Sequence, residues 1–391
     1  MRNKRVLMIV LNNVVHDARV IKEALSLSRH HYSVEILGIK MNPQDEKEFY
    51  IKGLKINLIN ITTKKIFAKN TCGWLIKYIE YFIRVNIKLL VLDFQIVHAH
   101  NLDALLPIYF FSKLLNKQII YDSHELFTEM SGKSDNIINK LWRKIEQSLL
   151  QKVDAVLAAN ESRANIMFEE YGARAKPIVI MNIPDTIKQM YTDKITPYLH
   201  NLRIFSKNVV IYQGGISKAR NVDKLIKSVE FWNNNLVLFL IGPILSTQEK
   251  YFLDLIESQE FREKIIIHPP VPNDELFNYT RFADIGIIIY ANDSRNNYYC
   301  APNKLYEYAI NEIPIAGCNF PEVGKVLMEY KIGESFDPEN EHSISSAINK
   351  IFNSLENYKK SKGFIKLFID QNWDIQKQRL YDLYDNLGTK I

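Results

Sequence analysis

The chain has 391 residues, 47% of them hydrophobic, enough for two domains with full cores and incompatible with a disordered or low-complexity polymer. A formal charge of +6 suits an anionic substrate or an anionic membrane surface, and no basic stretch interleaved with aromatic residues points to nucleic acid as a partner. Three cysteines, Cys72, Cys300 and Cys318, lie far apart without a Cys-x-x-Cys or Cys/His cluster, which fits a reducing compartment and argues against structural zinc.

At the start, residues 5–10 read as a buried strand, and the six apolar residues ahead of Asn12 and Asn13 are too few for the core of a secretory signal. No run of eighteen uncharged apolar residues follows, so the expectation is a chain that does not span a bilayer and works in the cytoplasm. Further short β-branched runs at 33–39, 55–61, 96–100, 118–122, 155–159 and 178–181 alternate with helical stretches. That alternation predicts βαβ units and a parallel sheet covered by helices on both faces. Runs at 209–212, 236–241, 264–268, 285–290 and 313–316 repeat the pattern, followed by helices at 343–355 and 372–387. Two doubly wound α/β domains follow, with a polar linker at 192–208 that contains Pro197. The expected division is an N-terminal domain over 1–195 and a C-terminal domain over 205–372.

Between 52 and 92 the bases Lys52, Lys55, Lys64, Lys65, Lys69, Lys77, Arg84 and Lys88 face a single acid, Glu80. Residues 74–90 form a helical pattern in which Lys77, Glu80, Arg84 and Lys88 make one polar stripe. Two readings stand side by side: a core helix with a solvated edge, or an interfacial helix resting on anionic lipid through residues 52–88.

In open parallel sheets ligands bind beyond the carboxyl ends of the strands, and two such domains face to face would line a cleft. Polar residues there are the candidates. His98, His100 and His124 sit at the ends of two runs, and period-two alternation puts His98 and His100 on one side of their strand. Each could donate a hydrogen bond to a substrate hydroxyl, or simply cap a helix or satisfy backbone groups. A metal site is not expected, since no matching carboxylate spacing or cysteine accompanies them. In the second half, Gly214 and Gly215 would let backbone approach a ligand closely, and Lys218 and Arg220 add positive charge at a helix start. This is the composition of a diphosphate cradle, without the spacing of a Walker loop or of Gly-x-Gly-x-x-Gly. Pro269, Pro270 and Pro272 fix the path around Val271, whose backbone groups could meet a planar base edge, while Asn273 as a helix cap explains the same residues. Finally, a helix begun by Pro302 places Lys304 and Glu307 one turn apart, a cation for phosphate oxygens beside a carboxylate for ribose hydroxyls, or an ordinary surface ion pair.

Five segments in order, Asp17-Ala-Arg19 with Glu23-Ala-Leu, Val97-His98-Ala-His100-Asn-Leu-Asp103, Tyr121-Asp122-Ser-His124-Glu125, Tyr212-Gln-Gly214-Gly215 with Arg220-Asn221, and Ala301-Pro302-Asn303-Lys304-Leu-Tyr-Glu307, resemble the family-four retaining glycosyltransferases of the GT-B fold. The resemblance covers almost the whole chain and implies that the segment about 373–391 crosses back to complete the N-terminal domain. It further implies that Arg220 and Lys304 bind the donor diphosphate, that Glu307 holds the ribose, and that Gly214, Gly215, Val271, Tyr299 and Asn303 line the donor site. His100 would contact the donor sugar near the reacting carbon, with Asn13, Asp17 and His124 on the acceptor side. Where the usual motif has a second glutamate, this chain has Tyr299, and Gly215 replaces a basic residue that often follows the first glycine. The implied activity is retaining, metal-independent transfer of a hexose from a nucleotide-diphosphate sugar, UDP in preference to GDP, to a glycan or lipid-linked acceptor in cell-surface polysaccharide assembly. No separate cofactor is implied. The alternatives are a non-catalytic nucleotide-sugar-binding scaffold and a sugar-nucleotide epimerase of the same architecture.

Overall fold

The computed structural model describes residues 4–15, 17–65, 71–130, 137–185 and 207–388. Its chain divides into two units, one drawn from 1–128, 133–181 and 374–391, the other from 129–132 and 182–373. The linker expected at 192–208 falls almost entirely outside the described residues.

The first unit is built on an eight-stranded sheet in the order β3-β4-β2-β1-β5-β6-β7-β8. Its strands are β1 (Arg5–Ile9), β2 (Ser33–Ile39), β3 (Glu48–Ile51), β4 (Leu54–Ile59), β5 (Ile96–His100), β6 (Gln118–Ser123), β7 (Ala155–Ala158) and β8 (Ile178–Val179). Every neighbouring pair is parallel except the β3–β4 hairpin. The helices between strands are α1 (Ala18–Arg29), α2 (Thr71–Val91), α3 (Leu102–Leu114), α4 (Ile137–Leu150) and α5 (Glu161–Glu169). Right-handed crossovers put α1 on one face and α2 to α5 on the other, which is why all five residues of β5 are buried, histidines included. Helix Trp373–Gly388 joins α1: the Tyr381 hydroxyl donates to the Ser26 carbonyl at 3.0 Å, and the Tyr381 ring stacks on His30 at 3.9 Å.

One local detail fixes α2. Pro107 inside α3 has no N–H, so the carbonyl of Asp103 one turn earlier loses its helical partner. The Tyr78 hydroxyl of α2 donates to that carbonyl at 3.0 Å, and the Asn86 side chain donates to the Pro107 carbonyl at 2.8 Å. Two hydrogen bonds thereby set the rotation of α2 about its axis.

The second unit carries a six-stranded, all-parallel sheet in the order β11-β10-β9-β12-β13-β14. These are β9 (Asn208–Gln213), β10 (Leu236–Ile241), β11 (Ile265–His268), β12 (Ile285–Ile288), β13 (Ile315–Cys318) and β14 (Gly333–Phe336). The run Leu-Val-Leu-Phe-Leu-Ile of β10 is buried throughout, as a strand covered on both faces must be.

Several expectations need correction. The 285–290 run stops as a strand at Ile288, and the 313–316 run begins only at Ile315 and continues to Cys318. Strands β3 and β14 and helix Gly363–Asp370 were not expected. Asn273 does not cap its helix: it is the first helical residue of Asn273–Arg281, with Pro272 in the capping position. The helix expected at 343–355 is Glu341–Asn353, followed by a short Leu355–Lys359.

Candidate functional site

In the first unit the register decides the site. His100 of β5 pairs directly with Asp122 of β6, so both side chains, together with His98 two residues earlier, emerge on the α1 side of the sheet. Arg19 and Glu23, one turn apart on α1, meet them. The Arg19 guanidinium donates to both Asp122 oxygens, Nε to Oδ2 at 2.9 Å and Nη2 to Oδ1 at 2.7 Å, while Nη1 donates to the Ile180 carbonyl at 2.6 Å. Glu23 Oε1 lies 3.1 Å from Arg19 Nε. Asp122 Oδ2 also takes His100 Nδ1 at 3.2 Å and His124 Nε2 at 3.0 Å.

All of these groups are buried except His124, whose side chain is 16% exposed, and their electrostatics follow from that. Burial alone would raise the Asp122 carboxyl, but the Arg19 and His124 charges hold it well below the usual carboxylate range. Burial lowers His100, against the pull of Asp122, so its imidazole stays neutral. Against the same burial, Asp122 raises His124. Glu23 is pushed up to about 7 by burial, with Arg19 opposing. Once Nδ1 of His100 is engaged with Asp122, its Nε2 remains buried without a hydrogen-bond partner. That nitrogen keeps an unused lone pair.

His98 has a different role. Its Nδ1 bonds the Tyr384 hydroxyl at 2.8 Å and its ring stacks on His100 at 4.3 Å, making it a core residue beneath the one that counts. Glu23, His98, His100 and Asp122 offer ligand atoms within 4.8 Å of one another, as a metal site would. The cation among these carboxylates is the guanidinium of Arg19, which the positive charge of a metal would oppose.

Loops at strand ends complete this half. Asp17 caps α1, accepting from Val20 N at 3.2 Å and from Asn12 Nδ2 at 2.8 Å. Val14 between them has φ 70, costly for a β-branched residue. Asn13 turns its side chain toward the Asp45 carboxylate. Immediately after His100, Asn101 adopts φ 70 and ψ 163, a region almost reserved for glycine, held by its N–H to the Asp122 carbonyl at 2.9 Å and by His124 N–H to its own Oδ1 at 3.2 Å. Such strain beside a buried imidazole with one unpartnered nitrogen is a pattern found at working sites.

The second unit holds a separate constellation. Strand β9 ends in Gln213, and the chain then turns through Gly214 at φ +132. Side chains are excluded here for a second reason: a Cβ on Gly242 would fall 2.1 Å from the Gly214 carbonyl oxygen, and one on Gly214 would reach to 3.3 Å of Lys304 Nζ. Lys304, the second residue of helix Asn303–Ile310, is only 7% exposed, which rules out the surface ion-pair reading. Its Nζ has no hydrogen-bond partner and stands over the Tyr212 ring at 4.3 Å and the Tyr290 ring at 5.5 Å. On the face of Tyr290, 4.3 Å from its centroid, lies the guanidinium of Arg220. Two cations thus share one aromatic ring. Burial and the Arg220 charge push Lys304 down to about 7, with Glu307 opposing.

Glu307, one turn along, accepts from Gln213 Nε2, and Gln213 Oε1 accepts from the Thr280 hydroxyl at 2.8 Å. The Tyr212 hydroxyl donates to the Gly215 carbonyl at 2.8 Å. Gly214, Gly215, Arg220, Lys304 and Glu307 are therefore linked through these contacts. Asn303, half-buried, begins the Lys304 helix directly after Pro302. Tyr299 packs on Tyr298 with ring centroids at 5.0 Å and lies 6.0 Å from the Arg295 guanidinium carbon. Val271 lies half-buried beyond β11, with no contact described to the Lys304 group. The sequence reading left out Arg19, Glu23, Asp122, Tyr212, Gln213 and Tyr290 as site residues. Asp122, Tyr212 and Gln213 occupy strand ends, and that rule alone could have found them.

With this geometry the comparisons fall into place. The sequence matches Glycosyltransferase Family 4 over residues 19–186 and Glycosyl transferases group 1 over 201–366. Sucrose-phosphate synthase from Thermosynechococcus elongatus has a similar structure, with TM-score 0.83 at 11% identity over 99% of this chain and 100% of that one. Anabaena HepE in complex with UDP-glucose gives TM-score 0.74 at 12% identity, covering 98% and 99% of the two chains. The E. coli trehalose-6-phosphate structure bound with UDP-2-fluoro glucose gives 0.73 at 11%, covering 99% of each. At such identities the likeness speaks for the fold alone. No curated protein sequence matches the chain. Two family matches that together span most of the sequence, on two parallel-sheet α/β units, make this chain a glycosyltransferase of family four with the GT-B fold.

Proposed function

We propose that the chain is a retaining, metal-independent hexosyltransferase that uses a UDP-sugar, in preference to a GDP-sugar, and extends a glycan or lipid-linked acceptor in cell-surface polysaccharide assembly, from the cytoplasmic side of a membrane. The observation that carries the donor assignment is the buried, unpartnered ammonium of Lys304 beside Arg220 over a shared tyrosine ring. A buried cation without a counter-ion is costly, and a diphosphate would relieve that cost. UDP in HepE and the UDP-sugar in the trehalose-6-phosphate structure support the same ligand class.

In the proposed reaction the acceptor hydroxyl oxygen bonds to the anomeric carbon as the bond from that carbon to the phosphate oxygen breaks. The electron pair stays on the diphosphate, and the hydroxyl proton passes to the departing phosphate. Negative charge grows where Arg220 and Lys304 stand, so preset cations lower the barrier. Glu307 accepts from the ribose hydroxyls, His100 Nε2 accepts from a hydroxyl of the transferred sugar, and Asn13, Asp17 and His124 serve the acceptor. Gly214, Gly215, Val271, Tyr299 and Asn303 are assigned to the donor's surroundings. Arg19 serves as the cation of the histidine cluster, so no metal is assigned there.

A second reading, a non-catalytic nucleotide-sugar-binding protein, draws on Tyr299 in place of the glutamate. Nucleotide release and the anomeric configuration of the product, followed by NMR for UDP- and GDP-sugars with glycan and lipid acceptors, separate the two. Turnover abolished in Arg220→Ala and Glu307→Ala is expected; turnover unchanged in both variants refutes the donor assignment, and conversion of donor without acceptor indicates an epimerase.

A further inference from the structure

Among the described residues no helix is long and apolar enough to cross a membrane. Helix α2 is nonetheless apolar on two sides. Tyr81, Val85 and Leu89 face the core. On another side Leu75, Ile79, Ile83, Ile87, Leu90 and Val91 are between 49% and 77% exposed. At about 100° per residue, the first five span an arc of roughly 120°, a continuous stripe running the length of the helix. The hydrogen bonds of Tyr78 and Asn86 to α3 lock the helix in this rotation, so the stripe is a fixed feature.

Its surroundings are specific. Lys77, Arg84 and Lys88 border the stripe on one side of the helix. The acid among them, Glu80, is tied to the Thr62 and Thr63 N–H groups at 2.9 and 2.7 Å and to Arg84 Nε at 2.6 Å, so the border is net positive. On the covered side of α2, away from the stripe, Trp74 stacks on Tyr78 at 5.1 Å, and Trp142 of α4 stands edge-on to both. Packed beside α2, α3 exposes Phe110 and Leu114 one turn apart. Lys52 and Lys55 belong to the β3–β4 hairpin instead, with Lys55 paired to Glu48 at 3.2 Å, and the side chains of Lys64, Lys65 and Lys69 lie outside the described residues.

We propose that this face of α2, extended by α3, is a docking surface for an anionic lipid bilayer, with the apolar stripe set among the acyl chains and the bases at the headgroups. Large exposed alkyl groups in one stripe gain by leaving water, and a basic border is complementary to anionic lipid. A second copy of the chain fits less well, because pairing the stripe with itself would bring the two basic borders together. The inference rests on α2 and α3 and holds whether or not the chain transfers sugar.

The test is sedimentation of the full chain with phosphatidylcholine vesicles containing about a third phosphatidylglycerol, against phosphatidylcholine alone. Wild type is expected to bind the anionic vesicles at low salt, to bind several-fold less as salt rises, and to retain a salt-resistant part from the alkyl groups. Ile83→Asp with Ile87→Asp is expected to lower partitioning at least about tenfold, with melting temperature and UDP-induced stabilisation unchanged. Both positions are more than half exposed, and Ile83→Ser with Ile87→Ser provides the same direction without new charge. No binding by wild type at low salt overturns the proposal, as does equal binding by both double variants. A wild-type dimer that the variants convert to monomers, without vesicle binding, assigns the face to a second copy and also overturns it.

Discussion

Lys304→Met is the most informative single change, because the account requires it to make the free protein more stable while destroying its function. The Lys304 ammonium is 7% exposed, has no hydrogen-bond partner, and is pushed from its ordinary 10.5 down to about 7 by burial and by Arg220. The unfolded chain holds the proton up to 10.5 and the folded chain only to about 7, so stability rises with pH between these values and the full cost is present below 7. At about 1.36 kcal/mol per decade the gap amounts to about 5 kcal/mol, an upper limit. Methionine keeps an unbranched stem between Tyr212 and Tyr290 and removes the charge. At pH 6.5, without ligand, differential scanning calorimetry should show Lys304→Met melting at least about 5 °C above wild type, since 1 kcal/mol is worth about 2–4 °C in a unit of this size. With UDP at a hundred times the wild-type dissociation constant, wild type should gain about 2.7 kcal/mol and the variant little. A variant that melts below wild type in the free state, or that keeps the UDP gain, refutes the reasoning.

The same lysine makes UDP binding proton-linked. A diphosphate restores the ammonium, so binding at pH 8 should take up a sizeable fraction of a proton and binding at pH 6 almost none, with affinity falling as pH rises above about 7; calorimetry in buffers of different ionisation enthalpy reads this directly, and no buffer dependence contradicts it. Asp122→Asn removes the anion that Arg19, His100 and His124 share, and should cost about 3–5 kcal/mol in urea unfolding, whereas a loss below 1 kcal/mol would mean that the network is not structural. Glu23, pushed up to about 7, keeps its proton in the folded state after the unfolded chain has lost it, so stability should fall as pH rises from 4.5 to 7. Glu23→Gln should flatten that part of the profile of unfolding free energy against pH; an unchanged slope assigns it to other groups.

Much of the fold was readable because β-branched runs alternating with helical stretches, and polar residues at strand ends, carry it directly. His100 and Asp122 were legible as strand-end residues, and their direct pairing follows once β5 and β6 are in register. Strand β14, Gly-Glu-Ser-Phe, has a glycine and two polar residues, so its place at the sheet edge comes from pairing with β13 and not from its own propensity. Strand β3 is a half-exposed edge that needs β4 to exist at all. The contact of Arg220 and Lys304 over Tyr290 joins three elements distant in sequence, and no local pattern announces it. On α2, two apolar arcs read in sequence as one broadly apolar helix, and only packing against α3 tells the covered arc from the bare one.

The central claim is that Arg220, Lys304 and Glu307 form a donor nucleotide site, and the thermal stability of the purified chain against a panel of nucleoside diphosphates and their sugars tests it most directly. The account predicts a rise in melting temperature with uridine nucleotides, lost in Arg220→Ala and Glu307→Ala. No rise with any nucleotide, or a rise that both variants keep, would contradict it.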